Sequence, residues 1–546
     1  MSLILQILVL LLGVGVSSLL VRPLRVPLPF VQIAVGAMLS LPLFGVHVSM
    51  NPEIFLLLFV APLLFVDGAR IPKREFFATS GLILALAFGL VLFTVALVGL
   101  LIHWMIPAIP GAAAFALAAI LSPTDAVAVS ALTERVGMPK RLLHLLQGEA
   151  LMNDASGLAA FNMAVAVLLT GTFSWTAATL GLVTVAVGGA TIGSACGLIW
   201  SLIGRRLTRW GVEEQATNVM MLLLPFVAYL AAERAHLSGI LAAVAAGIVL
   251  NLREPPERSA ASRLGAYGMW SMIEFIFNGL IFVVLGLQLP AIFSATIGGF
   301  YSAGSWPGVA HLALYAFAVA LSLMLLRFAW VWITVRLVDI KARRHGRGGR
   351  LPRRRLLAAM ALAGVRGAVT LAGVMSVPLL LRDGSPLPGR DLMIFLAAAV
   401  ILLSLLIAAF GLPHVLKGLE VQEDPEIEEE RLARVATAES AIRAIQAEAA
   451  SATWDDRKGG ATTPSMVADV VIGLYQRRLQ QLGEAAQTTE AQGDSRLEHH
   501  LRLTGLHAER VAISQLRRSR RIDNGVQEKL LRDVDLREAA IVGTRR

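Results

Sequence analysis

Residues 118–132 read AAILSPTDAVAVSAL. Pro123 stands in the middle of this apolar run, where its ring removes one helical hydrogen bond and clashes with the carbonyl of Ala119. The spacing therefore predicts two half-helices separated by a break. Thr124 and Asp125 sit at that break. Freed backbone is tolerated at membrane depth only where it lines a cavity or binds something, and half-helix ends supply carbonyls to cations. A hydroxyl or carboxylate at this point also caps the second half-helix, and the two roles are compatible.

The surrounding composition is that of a chain in lipid. Of 546 residues 56% are hydrophobic and 16% charged, with a mean hydropathy of +0.69, whereas a soluble globular chain carries about 25% charged residues. Stretches long enough to cross a hydrocarbon core of about 30 Å recur from residue 3 to residue 416. They predict an all-α polytopic membrane protein of about thirteen transmembrane helices. The opening MSLILQILVLLLGVGVSSLLV lacks a basic leader and a small-residue cleavage site, so it reads as the first span. Cys196, the single cysteine, lies mid-span and allows no disulfide or thiolate metal site within the chain. The net charge of +10 does not point to nucleic acid, because the basic residues collect at span ends.

Alternate loops hold Arg22 and Arg25; Arg70, Lys73 and Arg74; Arg135, Lys140 and Arg141; Arg205, Arg206 and Arg209; Arg253, Arg258 and Arg263; and the run from Lys341 to Arg355. The intervening loops hold little beyond Arg234, Arg382 and Arg390. By the positive-inside rule the rich set is cytoplasmic, with the N-terminus outside. This assignment needs residues 216–252 to be two helices divided near Glu233 to His236. Residues 1–417 form the expected membrane domain. From 418 to 546 the composition turns charged, and its Ala, Glu, Arg and Leu content suits amphipathic helices of a cytosolic domain, with GGATTP near 459–464 as an internal linker.

Ionisable residues are costly at bilayer depth and mark ion pathways or relays. Six stand out: Asp67, Asp125, Glu149, Asp154, Glu274 and Arg366. In RLLHLLQGEALMNDASG, Glu149 lies one turn below Asn153 and Ala150 one turn below Asp154, so the two acids aim at different partners. Arg366, between Gly364 and Gly367, needs a carboxylate partner, and Glu149 is the first choice. Asp154 then remains a carboxylate without a fixed counter-ion, which is what a cation site requires. Glu274 and Asn278 form a polar seam on one helix face, as helix contacts or as part of an ion route. Asp67 reads equally as a solvated helix-end residue or a ligand. The histidines at 47, 103, 144, 236 and 311 lie near helix ends without metal-ligand spacing.

LSPTDAVAV, GEALMNDASG, EFIFNGLIFVVLG and GVRGAVTLA, in this order and spacing, resemble the cation:proton antiporters of the NhaP-like and animal sodium/hydrogen-exchanger type. The resemblance covers almost the whole membrane part. It implies inverted repeats, two crossed broken helices around Asp125 and around Gly364 to Gly367, a six-helix core moving against a scaffold, and a homodimer in the cell inner membrane. It implies that Asp154 binds sodium or a proton alternately, that Thr124 and Asp125 support the site beside Asn153, and that Glu149 pairs with Arg366. No cofactor and no enzymatic activity are implied. Two departures from the family pattern are Ala150, where a serine is common, and Asp67, where many members have a glutamate.

A carboxylate holding either sodium or a proton is neutral in both loaded states and charged only when empty, so competition enforces exchange. Asn153 adds no charge beside Asp154, so the expectation is one proton per sodium, electroneutral. Exchange of potassium or of monovalent cations broadly is the alternative. A channel or membrane sensor is a remoter one, as is an intramembrane aspartyl protease using Asp125 and Asp154.

Overall fold

The structure is a computed structural model. It describes residues 3–417 apart from 25, 43, 47–50, 72–79, 134–137, 211, 254–259, 303–305, 345–353 and 383. Beyond 417 it describes 435–447 (except 437), 464–484 and a few positions between 506 and 538. Arg25, His47, Lys73, Arg74, Arg135, Arg258, the basic run 345–353 and the linker 459–463 lie outside the described residues. The chain divides into two compact units, Met1–Leu419 and Glu420–Arg546.

The first unit is built of helices: α1 Leu3–Leu24, α2 Leu28–Leu39, α3 from Pro52 to Arg70 and α4 from Ser80 to Met105, then the half-helices α5 Gly111–Leu121 and α6 Ala126–Thr133. There follow α7 Lys140–Thr170, α8 Trp175–Arg209, α9 Glu214–Arg234, α10 Gly239–Leu252, α11 Ala260–Ser302 and α12 Trp306–Arg344. A second pair of half-helices, α13 Arg354–Leu362 and α14 Ala368–Met375, precedes α15 Arg390–Leu416. Among the described residues the β structure is limited to an isolated bridge between Leu380 and Pro386. Nine helices among them have the length and hydropathy to cross a membrane, and α2, α5 and α10 are shorter and apolar. The protein is a multi-pass helical membrane protein. In the second unit, α16 Pro464–Glu484 is the longest described helix, and Leu506, Ile513 and Val534 form a small apolar cluster.

Residues 216–252 are two helices, as the charge alternation requires. The polar Glu233-Arg234-Ala235-His236 stretch ends α9, and His236 takes φ +57°, a left-handed conformation tolerated singly. Ser238 then caps α10 by accepting the Leu241 N–H at 3.2 Å. Close helix approach depends on small residues, as expected where lipid gives helices no hydrophobic reason to associate. Gly68 of α3 packs on the carbonyl of Val244 and Gly247 of α10 on that of Phe65. This crossing fixes the end of α3 that carries Asp67. Both α3 and α4 contain a π-helical turn, Leu56–Val60 and Ala85–Leu90. Polar side chains reach the π turn of α4: the Trp330 indole donates to Ala85 O at 3.1 Å and Ser156 Oγ to Ala87 O at 2.5 Å.

A fully buried ion pair joins α7 to α12. Arg327, 2% exposed, donates Nη1 and Nη2 to the two carboxylate oxygens of Glu149, itself fully buried, at 2.5 and 2.8 Å. Its Nε donates to Met360 O, near the end of α13, at 2.8 Å. One guanidinium thus ties three helices. This corrects the expected Glu149–Arg366 pair: α12 delivers a planar fork matched to both oxygens, and Arg366 is engaged elsewhere. Arg327 lies in SLMLLRFAWVW, within an apolar span, and obeys the same rule that singled out the other six ionisable residues, yet was not among them.

Removing one partner of a buried pair leaves an uncompensated charge, at a cost of about 3–5 kcal/mol, whereas replacing both by apolar residues is often near neutral. Glu149→Leu and Arg327→Leu singly should each lower the thermal midpoint in detergent sharply, and the double variant should recover most of the loss. Additive losses would contradict a mutual pair.

Candidate ion-binding site

The two broken helices meet at their unwound segments. Residues 122–125 separate α5 from α6, and 364–367 separate α13 from α14. They are stitched by backbone and side chain together: Asp125 N–H donates to Val365 O at 2.8 Å, and Arg366 Nε donates to Leu121 O at 2.7 Å. Arg366 Nη1 also donates to Gly364 O at 2.5 Å, and its backbone N–H to Ser404 Oγ of α15 at 3.0 Å. The buried guanidinium is therefore held by carbonyls at the C-terminal ends of α5 and α13, where helix dipoles favour positive charge.

Asp125 does the reverse. Its Oδ1 accepts from the N–H groups of Val127 and Ala128 at 2.9 and 3.1 Å, capping α6. The rest of its carboxylate lies against Gly367, which precedes α14, so close that a Cβ there would collide with it. Its negative charge thus sits where two half-helices begin. A Cβ on Gly364 would come within 2.7 Å of Arg327 Cδ. The glycines of Gly364-Val365-Arg366-Gly367 each make room for one charged side chain.

Helix α7 lies against the first break. A side chain at Gly157 would strike Pro123, so the glycine lets α7 approach. One turn earlier Asn153 Nδ2 donates to Thr124 Oγ1 at 2.9 Å, holding the hydroxyl, while Asn153 Oδ1 is buried without a hydrogen-bond partner among the described residues. Asp154, 7% exposed, has neither a hydrogen-bond nor an ion-pair partner among the described residues.

Asp154 lines a cavity of about 220 Å³, room for several waters at about 10–15 Å³ each on the same measure. Thr124, Asp125, Asp67, Glu274 and Asn278 line it too, as does the methyl group of Ala150. Five of the polar residues expected from sequence are thus brought together around Asp154. Asn153 stands behind the wall, while Glu149 and Arg366 are outside the lining. Asp67 is therefore a wall residue rather than only a solvated helix end. Sequence reasoning missed Gln147, Ser130 and Thr370 in the same wall. Gln147 was legible in principle: it precedes Asp154 by seven residues, two turns on the same helix face.

Residues 7–418 match the family model described as sodium/hydrogen exchanger, transmembrane. An Escherichia coli K12 protein described as an uncharacterized Na(+)/H(+) exchanger, YjcE, is 42% identical over 99% of both chains. A Bacillus pumilus sodium, potassium, lithium and rubidium/H(+) antiporter is 38% identical over 96% of this chain and 76% of its own. The fold matches that of the sodium proton antiporter MjNhaP1 of Methanocaldococcus jannaschii with a TM-score of 0.57 and 17% identity, over 77% of this chain and 99% of that one. The broken-helix crossing and the full-length relatives lead to one conclusion: the chain belongs to the sodium/hydrogen exchanger family of membrane cation/proton antiporters.

Proposed function

We propose that the protein exchanges sodium for protons, one for one, at Asp154. The observation that carries this reading is a buried carboxylate in the cavity wall with no hydrogen-bond or ion-pair partner among the described residues. A carboxylate already paired to an arginine, as Glu149 is to Arg327, has no free valence for a cation. Asp154 has one. Thr124 Oγ1, steadied by Asn153, and Asp125 supply further oxygens, and Asp67 lies in the same wall. The neutral Asn153 beside Asp154 supports electroneutral turnover.

In this reading sodium and a proton compete for Asp154, and the site faces each side of the membrane in turn. The empty, charged site crosses the apolar layer poorly, so each crossing carries an ion. Thirteen membrane segments result when the two pairs of half-helices count as one each, with the N-terminus outside and the C-terminal unit, residues 418–546, in the cytoplasm. The family resemblance supports inverted repeats and a homodimer in the inner membrane. A second reading, exchange of monovalent cations broadly, is favoured by the name of the Bacillus pumilus relative and by Ala150, which gives the wall a methyl where a serine would give a hydroxyl.

In sealed, acid-inside vesicles containing the purified protein and a pH dye, adding sodium or lithium should alkalinise the lumen without generating a membrane potential. Asp154→Asn should abolish the response while leaving the thermal midpoint near that of the parent. Equal responses to sodium and potassium would establish the broad reading, and undiminished exchange by Asp154→Asn would remove the proposal.

A further inference from the structure

One wall residue of the cavity, Glu274, is engaged in an ion pair that neither the fold nor exchange at Asp154 accounts for. Arg70, the last residue of α3, donates Nη1 to Glu274 Oε2 of α11 at 2.5 Å, and its guanidinium lies over the Tyr267 ring at 5.7 Å. Arg70 follows Asp67 by one helical turn, so both project from one side of α3. Glu274 shares the wall with Asp67 and Asp154. The side chains of Arg70 and Glu274 are 40% and 27% exposed, and Asp154 is 7% exposed. The pair is thus more accessible than Asp154. The contrast with Glu149–Arg327, sealed from solvent and bonded through both oxygens, is one of function as well as depth.

We propose that Arg70 is a tethered cation that occupies the mouth carboxylate Glu274, and that a transported cation entering from this side replaces it there on the way to Asp154. The inference rests on the exchange reading above. Exposed ion pairs are weak and open readily, which suits an entry step and not a lock. Arg70 bonds Glu274 through one carboxylate oxygen, and the Tyr267 face offers the displaced guanidinium an alternative partner. With Arg70 in place the mouth is neutral. Without it, a bare carboxylate faces solvent at the opening of a cavity already walled by Asp67, Asp125 and Asp154, and raises the local cation concentration. Arg70 and Glu274 are thus affinity-setting residues for one side of the membrane, and the carboxylate that exchanges the proton remains Asp154. Arg70 belongs to the basic loop set that the charge rule places in the cytoplasm, so that side is the cytoplasmic one.

The test uses full-length protein in everted membrane vesicles, which present the cytoplasmic face to added sodium, with the apparent KM and maximal rate of proton movement recorded separately. Arg70→Gln should lower the KM by about threefold, with the maximal rate within about twofold of the parent, and the gain should shrink as choline chloride screens the mouth. Glu274→Gln should raise the KM by a similar factor, and Arg70→Lys, which keeps the charge, should stay near the parent. An unchanged KM with a lowered maximal rate and thermal midpoint in Arg70→Gln would overturn the proposal and leave the pair as a fastener between α3 and α11. Arg70→Lys settles the matter if the glutamine variant fails to fold: a KM several-fold from the parent would also overturn it. The underlying exchange reading fails separately, by absence of sodium-driven proton movement in the parent protein.

Discussion

The structure turns on one constraint: two broken helices leave unpaired backbone and four dipole ends in a medium without water to solvate them. The chain answers with one charge of each sign. Asp125 lies where α6 and α14 begin, and Arg366 binds carbonyls where α5 and α13 end. The Asp125 N–H to Val365 O bond closes the crossing. These two residues hold the break together, and Asp125 also borders the cavity. Neither is free to act as a simple carrier of a transported ion.

That division of labour leaves two carboxylates without a bonded partner among the described residues, Asp67 on α3 and the more deeply buried Asp154 on α7. Glu149 is neutralised by Arg327, and Glu274 by Arg70. Asp154 lies on the same helix as Glu149, five residues on, yet faces the cavity and has no partner among the described residues. The difference is one of helix face: five residues is about 140° past a full turn at 3.6 residues per turn. One helix thereby presents a structural acid to α12 and a chemical one to the cavity.

Much of this was legible from residue types. Pro123 in an apolar run announces the first break, whereas the second, around Gly364 to Gly367, is expected from the family resemblance. The expectation of an unpaired Asp154 rests on assigning Glu149 to Arg366, and in the structure it is Arg327 that takes Glu149. The identity of the arginine partner was not legible, because a guanidinium has the same sequence signature wherever it points. Arg327 and Arg366 are both buried in apolar spans, and only the packing of α12 against α7 tells which one meets Glu149. Asp67 was ambiguous for a related reason. Its place near a helix end suggests solvent, but the Gly68–Gly247 crossing draws α3 inward and sets the carboxylate in the wall. Gln147, Ser130 and Thr370 were passed over because uncharged polar residues cost little in a span and leave no strong mark on the sequence.

The account stands on competition between a cation and a proton for one carboxylate, and that is measurable without transport. Purified protein in lightly buffered detergent solution, titrated with sodium chloride against a choline chloride control, should release close to one proton per protomer. Asp154→Asn should release none. Proton release undiminished in Asp154→Asn, or sodium binding to the parent without any release, would contradict exchange at this residue.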